Sequence, residues 1–262
     1  MMLAVEKWQG LGNDFVLVEG GDPGAALAVQ LCDRRHGLGG DGVLAIEEQG
    51  DGVRMIVRNA DGSRPEMCGN GVRCVVGCVA ARRGLVRGEL VVLSDAGPRV
   101  CGFERVGEGG VEFLVTVAMG TARNDGPLHA PFLDGRAFVR VDMGNPHAVS
   151  FDPFEDATLD RLGPALERST PGGINVELCR VVAPTRIEVI VWERGCGRTQ
   201  ACGTGACAVA AAAVWAGRAP ANAPIDVVLP GGPLAITVDR DSAAVTMRGP
   251  ATLVFRGQTP LV

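Results

Sequence analysis

A chain of 262 residues, 47% hydrophobic and 21% charged, is long enough for one large core or two modest ones and too apolar to be disordered. Its net charge of −5, with the basic residues scattered, gives no electrostatic footprint for nucleic acid or an anionic membrane, which leaves a small-molecule partner as the expectation. No apolar run approaches the roughly 20 residues of a membrane span and the N-terminus lacks the order of a signal peptide, so the expected location is the cytoplasm, with the nine cysteines as thiols.

Short strands are expected at residues 3–5 and 15–18, joined by Gly10-Leu11-Gly12-Asn13-Asp14, a turn whose backbone and amide groups could face a pocket. Residues 25–32 read as a helix. The glycine-dense stretch Arg35-His36-Gly37-Leu38-Gly39-Gly40-Asp41-Gly42 precedes a strand at 43–47. It has no Lys-Ser/Thr ending and no GxGxxG between strand and helix, so it is not read as a nucleotide loop. A strand at 53–57 runs into the turn Asn59-Ala60-Asp61-Gly62-Ser63, and Cys68-Gly69-Asn70-Gly71 opens a helix to about Arg83. Strands follow at 90–93, 100–103 and 111–117. Asn124-Asp125-Gly126-Pro127 breaks any regular pattern and marks a boundary between 121 and 132. Beyond it, a strand at 186–192 leads to a turn at Cys202 that opens a helix through Trp215, with further strands at 225–229, 234–238 and 244–247.

Two of these turns carry chemistry. Cys68-Gly69-Asn70-Gly71 and Cys202-Gly203-Thr204-Gly205 each place a thiol at the start of a small-residue helix, where unsatisfied N–H groups and the helix dipole favour a thiolate. The order around them repeats as well. Val91-Val92-Leu93 is matched by Val227-Val228-Leu229, and Val115-Thr116-Val117 by Val245-Thr246-Met247, at offsets close to that between the two cysteines. An internal duplication is the simplest account. A thiolate facing a thiol is a base facing an acid, so a carbon held between them could lose a proton from one face and gain one on the other. The N–H groups after each cysteine, accessible because Gly69, Gly71, Gly203 and Gly205 lack side chains, suit a carboxylate whose charge grows as the proton leaves. Cys74, Cys78 and Cys207 are read as buried packing residues, as are Cys32, Cys101 and Cys179. Cys196, six residues before Cys202, is left without a role. No CxxC pair occurs, and with His36, His129 and His147 the only histidines, no metal site is expected.

Several motifs together resemble one known family over nearly the whole chain. They are Gly10-Leu11-Gly12-Asn13-Asp14-Phe15, Asn59-Ala60-Asp61-Gly62-Ser63, Cys68-Gly69-Asn70-Gly71-Val72-Arg73-Cys74, Met143-Gly144-Asn145-Pro146-His147, Asn175, Glu193-Arg194-Gly195, Ala201-Cys202-Gly203-Thr204-Gly205-Ala206 and Leu229-Pro230-Gly231-Gly232. In this order they resemble the diaminopimelate epimerases, cofactor-independent enzymes that interconvert LL- and meso-diaminopimelate. The resemblance implies an α/β (α+β) fold of two pseudo-symmetric domains, each a twisted, mostly antiparallel sheet wrapped around a central helix, with the active site between them. The expected domains are 1–122 and 123–249, with a C-terminal strand at about 250–262 returning to the first. Carried onto this sequence, Cys68 and Cys202 are the acid/base pair. Asn13, Asn59, Asn145, Asn175, Glu193 and Arg194 line the substrate pocket, and the amides of Gly69, Asn70, Gly203 and Thr204 hold the carboxylate at the reacting centre. His147 and Glu193 modulate the two thiols. No cofactor and no metal are implied, and a homodimer is.

Bottom-up chemistry supports Arg194 as a carboxylate fork and the asparagines as groups that both donate and accept. The motifs alone leave two alternatives open: a racemase of proline, hydroxyproline or histidine on the same scaffold, and a redox-sensing protein that uses the two cysteines as a reversible disulfide. Three positions depart from the family pattern. Cys196 replaces a small apolar residue, Arg198 an acidic one, and Gly42 a polar side chain found in some relatives.

Overall fold

The structure, a computed structural model, describes residues 2–107, 109, 111–133 and 135–260. Leu261 and Val262, the end of the expected C-terminal strand, lie outside the described residues. The chain divides into two compact units, Met1–Val117 with Arg248–Val262, and Ala118–Met247.

The first unit runs β1 (Met2–Gly10), β2 (Asn13–Glu19), α1 (Ala25–Cys32), β3 (Gly42–Gln49), β4 (Gly52–Asn59), α2 (Gly69–Arg82), β5 (Arg87–Ser94), β6 (Gly97–Val106) and β7 (Glu112–Thr121). The second continues with β8 (Arg123–Leu128), a 3-10 turn at Pro131–Leu133, β9 (Phe138–Asp142), β10 (Pro146–Ser150), α3 (Asp156–Ser169) and β11 (Asn175–Ala183). It ends with β12 (Arg186–Glu193), β13 (Gly197–Arg198), α4 (Gly203–Trp215), β14 (Ile225–Leu229), β15 (Gly232–Val238) and β16 (Ala244–Pro260), whose later part returns to the first unit.

Both units repeat one plan. In the first, strands β1 to β7 lie side by side in sequence order, and β16 neighbours both β7 and β1, so the strands close on themselves around α2. Pairing is antiparallel except where a helix intervenes, at β2–β3 across α1 and β4–β5 across α2. In the second, parallel pairs recur at β10–β11 across α3 and β12–β14 across α4. Thus α1 corresponds to α3 and α2 to α4, and the valine repeats noted in the sequence fall on β5 and β14 and on β7 and β16.

The central helices are hydrophobic all round because strands surround them. α2 packs against all of β1 to β6, and α4 against β9, β10, β11, β12, β14 and β15. Every residue of α4 from Gly203 to Ala213 is buried. Alanine suits this position twice over: it is the best helix former, and its small side chain lets six strands approach the axis. α2 uses glycine to the same end. A Cβ on Gly77 would lie 2.8 Å from the ring of Trp8, which is fully buried with its indole N–H donating to Glu6 Oε2 at 2.8 Å.

The sequence expectation has no counterpart for β9, β10, β11 or β13, and two further elements differ from it. Asn124-Asp125-Gly126-Pro127 does not interrupt structure but lies inside β8, where the register to β9 shifts between Asn124 and Pro127 and Gly126 takes φ +83. Helix α3 has no counterpart in the sequence reading, because Gly163 and Pro164 in its middle look like breakers. A capping box between Glu155 and Thr158 starts it, and apolar Leu159, Leu162 and Leu166 bury its inner face. Gly163 is required for contact, since a Cβ there would sit 2.5 Å from the Trp192 ring.

Candidate active site

In the first unit, the start of β2, the start of β3, the end of β4 and the start of α2 meet at one end of the sheet. Cys68 is the N-cap of α2, extended at φ −137 and ψ 113, and its Sγ accepts the Gly71 N–H at 3.3 Å. This is the work a serine or aspartate cap does elsewhere, here done by sulfur. It leaves the N–H groups of Gly69 and Asn70 outside the helix ladder, at its positive end. Beside them runs a one-directional chain of amides. Arg73, fully buried, donates to Asn70 Oδ1 at 2.9 Å; Asn70 Nδ2 donates to Asn13 Oδ1 at 3.0 Å; Asn13 Nδ2 donates to Asp41 Oδ2 at 2.6 Å. Asn59 closes the group at the end of β4, with Nδ2 donating to Ser63 Oγ at 2.9 Å in the turn expected there.

Asp41 and Arg73 were not among the residues the sequence singled out for the site. A lone acid in a glycine loop and an arginine inside an apolar helix offer little local signal. What marks them is the partner each provides: arginine only donates and carboxylate only accepts, so the two ends fix which way both asparagine amides face. Arg34 ties Asp41 to Asp14 through contacts of 2.8 and 2.7 Å, and Lys7 reaches Asp14 at 2.7 Å. Burial alone would raise the Asp14 carboxyl, but the hydrogen bonds and charges of Arg34 and Lys7 outweigh it and bring it down to about 2. The sign follows directly: with a folded value below the unfolded 3.8, Asp14 stabilises the fold above about pH 4, and that contribution is lost as pH falls through 2. Asp14→Asn is therefore expected to melt at a lower temperature than the parent at pH 6, and the gap should close in melts near pH 2.

At Gly42, opposite Asn59, a Cβ would lie 2.6 Å from the Arg58 carbonyl oxygen. The glycine that departs from the family pattern is thus demanded by the local backbone of β4.

The second unit builds the equivalent end from the starts of β10, β11 and α4 and the end of β12. Cys202, buried, caps α4 at φ −119 and ψ 108, and its Sγ accepts the Gly205 N–H at 3.3 Å, matching Cys68. Thr204 Oγ1 lies 3.6 Å from the sulfur and accepts from Asn145 Nδ2 at 3.3 Å. Asn145 Oδ1 faces His147 Nε2 at 3.1 Å, and His147 Nδ1 faces Glu177 Oε1 at 2.7 Å, with both side chains of that pair fully buried. Glu193 lies close enough to Cys202 for each to act on the other's acidity, and its Oε1 accepts from Thr199 at 2.5 Å.

The helix dipole does not decide the acidity of Cys202. Burial pushes the thiol well above its usual range, and the charges of Glu193 and Glu177 push it further, against only the Thr204 hydroxyl and the Gly205 amide. Burial raises the Glu193 carboxyl too, against its hydrogen bond from Thr199 and the nearby Cys202 thiol. The sequence expectation of a lowered thiol is therefore corrected for Cys202: with two carboxylates at hand in an enclosed site, half a charge at a helix end is the weaker influence. Cys74 and Cys101 are pushed by burial up to about 12, consistent with packing roles.

Asn175 spends its carbonyl on the Arg194 N–H at 2.9 Å and an N–H on the Pro146 carbonyl at 2.9 Å, so it aligns the ends of β10 and β12. Arg194 is exposed, with one guanidinium nitrogen donating to Gly172 O at 3.1 Å. Its turn is pinned from α3, where Glu167 accepts from Trp192 Nε1 and from the Gly195 N–H, both at 2.7 Å. Arg198, the second departure, contacts Asp156 at 2.8 Å and Asp160 at 3.2 Å in the first turns of α3. Cys196, the third, is exposed in the turn closed by its own N–H to Glu193 O. Among the described residues no three His, Cys, Asp or Glu side chains gather so as to hold a metal ion, and no helix is long and apolar enough to cross a membrane.

The chain is similar to known proteins in sequence and in fold. The chain fits the family described as diaminopimelate epimerase over residues 5–124 and 139–254. It is 45% identical to a diaminopimelate epimerase of Desulforudis audaxviator, covering 96% of this chain and 97% of that one. To the diaminopimelate epimerase of Acaryochloris marina it is 38% identical, covering 98% of each. Among solved structures, a predicted epimerase from Pseudomonas aeruginosa superposes with a TM-score of 0.79 at 17% identity, over 99% of this chain and 100% of the other. The chain belongs to the diaminopimelate epimerase family.

Proposed function

We propose that this protein interconverts LL-2,6-diaminopimelate and meso-diaminopimelate without a cofactor, in the supply of lysine and peptidoglycan precursors. The observation that carries the reading is the pair of matched thiol caps, Cys68 on α2 and Cys202 on α4, each with its sulfur 3.3 Å from a glycine N–H, in a chain of this family. One thiol takes the α-proton and the other returns a proton to the opposite face. Cys202 starts as the acid, because burial and two neighbouring carboxylates keep it protonated. Cys68 is then the base in that direction, and the roles exchange in the reverse reaction. The amides of Gly69, Asn70, Gly203 and Thr204 at the two helix starts suit the substrate carboxylate as its charge grows. Asn13, Asn59, Asn145, Asn175 and Arg194 serve the remaining carboxylate and ammonium groups. Glu193 and His147 set the protonation of the thiol side. The working form is a cytoplasmic homodimer, which sedimentation at assay concentration tests.

Incubating the reduced protein with LL-diaminopimelate in deuterium oxide is expected to give meso product with one deuterium at the inverted α-carbon, read by mass spectrometry. Inversion without deuterium would overturn the two-thiol scheme. Turnover of proline, hydroxyproline or histidine but not diaminopimelate would overturn the substrate. Activity unaffected by oxidation that joins the two cysteines would exclude both as catalysts.

A further inference from the structure

The two thiols come from a duplicated plan, yet what lies behind them is different. β2 pairs with β3 at Phe15 and Gly42, and β10 pairs with β11 at His147 and Asn175, so Phe15 corresponds to His147 and Leu44 to Glu177. The first turns of the central helices confirm the correspondence. A Cβ on Gly71 would meet the Leu44 side chain at 3.1 Å, whereas a Cβ on Gly205 would meet Glu177 Oε1 at 2.7 Å. Cys68 is therefore backed by two buried apolar side chains, and Cys202 by a buried carboxylate and imidazole. Among the described residues Glu177 Oε2 has no hydrogen-bond partner, a costly arrangement that nothing in the packing requires, since Leu44 fills the same place in the other unit.

We propose that Glu177, together with His147, is the positioning device that makes the two repeated thiols unequal, acting on Cys202 directly across the first turn of α4 and through Asn145 and Thr204. The inference rests on the two-thiol reading above and deepens it. A chain in which both thiols had the same surroundings would have no built-in acid and base. Glu177 breaks that equality in two ways. Its negative charge opposes a second negative charge on the sulfur. Its hold on Nδ1 fixes the ring of His147 with Nε2 3.1 Å from Asn145 Oδ1, while Asn145 Nδ2 donates to Thr204 Oγ1, whose own proton is left for the sulfur once that is a thiolate. The charged groups facing Cys202 are Glu193 from β12, Glu177 from β11 and His147 from β10. Those elsewhere on the strands packed against α4 are not buried: Arg140 and Asp142 of β9, Arg180 of β11, Arg186 and Glu188 of β12, and Asp226 of β14.

The test is peptide-resolved alkylation of the reduced protein by iodoacetamide across a pH series, without substrate, alongside the pH profile of epimerisation. In Glu177→Gln the alkylation midpoint of Cys202 is expected to fall by about one pH unit, that of Cys68 to stay in place, and the alkaline limb of kcat to move to lower pH. At neutral pH, where burial and Glu193 still keep Cys202 protonated, the change in kcat should be small beside that on the alkaline limb, with KM within about twofold. Glu177→Leu combined with His147→Phe installs the first unit's own apolar pair and carries the same test should the glutamine variant fail to fold. An unmoved Cys202 midpoint in the folded variant would overturn the inference, as would equal movement of both thiols. Because alkylation needs no substrate, a parent protein inactive on diaminopimelate would count against the proposed reaction and not against this one.

Discussion

Cys202→Ala is expected to lower kcat about 10³-fold, and Cys68→Ala by a similar factor, with far-ultraviolet circular dichroism unchanged. The magnitude is that of removing a positioned general acid or base. Neither loss can be made good by a neighbour. Cys207 and Cys74 are fully buried within their helices, and Cys74 is held near 12, far from a working proton carrier at neutral pH. The structural cost should be small by comparison. Each variant loses one helix cap, worth about 0.5 to 2 kcal/mol, because the N–H of Gly71 or Gly205 loses its sulfur acceptor. Melting curves recorded beside the kinetics separate the two effects. Full activity in either folded variant would end the two-thiol mechanism.

The second large effect is expected at a residue with no side chain. In Gly205→Ala the new methyl would sit 2.7 Å from Glu177 Oε1 and 3.2 Å from the Cys202 sulfur. Glu177 cannot swing aside, because it is fully buried and bound to His147. Either the carboxylate or the thiol must therefore move by several tenths of an ångström. Misplacement on this scale costs about 10²-fold in kcat, and overpacking about 1 to 3 kcal/mol in stability. The equivalent Gly71→Ala meets Leu44 at 3.1 Å and the Cys68 Cβ at 3.3 Å, contacts that a leucine rotamer relieves more cheaply. The second-unit variant should be the more damaged of the two in both assays. Equal loss would mean that Glu177 is no more rigid than Leu44.

Much of the fold could be read from the chain because local signals agreed with the final packing. The glycine turns announced the starts of α2 and α4, and the matched valine-rich stretches announced β5, β7, β14 and β16. What escaped did so for identifiable reasons. α3 carries Gly163 and Pro164, which look like breakers but serve a close contact with Trp192. Glu177 sits in Asn175-Val176-Glu177-Leu178-Cys179, a polar residue between apolar neighbours, which reads as the wet face of a half-buried strand. β11 has no wet face there: α3 covers Val176 and Leu178 from one side, α4 packs on the other, and all five residues are buried. The thiol acidity escaped because a helix dipole is visible in sequence, whereas the burial of Cys202 and the two carboxylates brought from β11 and β12 are not.

The return of β16 to β1 bears on how the molecule is made. Met2 pairs with Pro260 and Thr252 with Gln9, so the earliest made of the described strands takes as its partner the latest made. Until β16 is made, one edge of β1 stays bare and open to wrong pairing. At roughly 5 to 20 residues per second that interval lasts on the order of ten seconds or more. The amino-terminal unit is thus begun first and completed last. Contacts of such sequence separation are slow to form, so closure of this ring is a late and slow step that leaves the β1 edge exposed meanwhile.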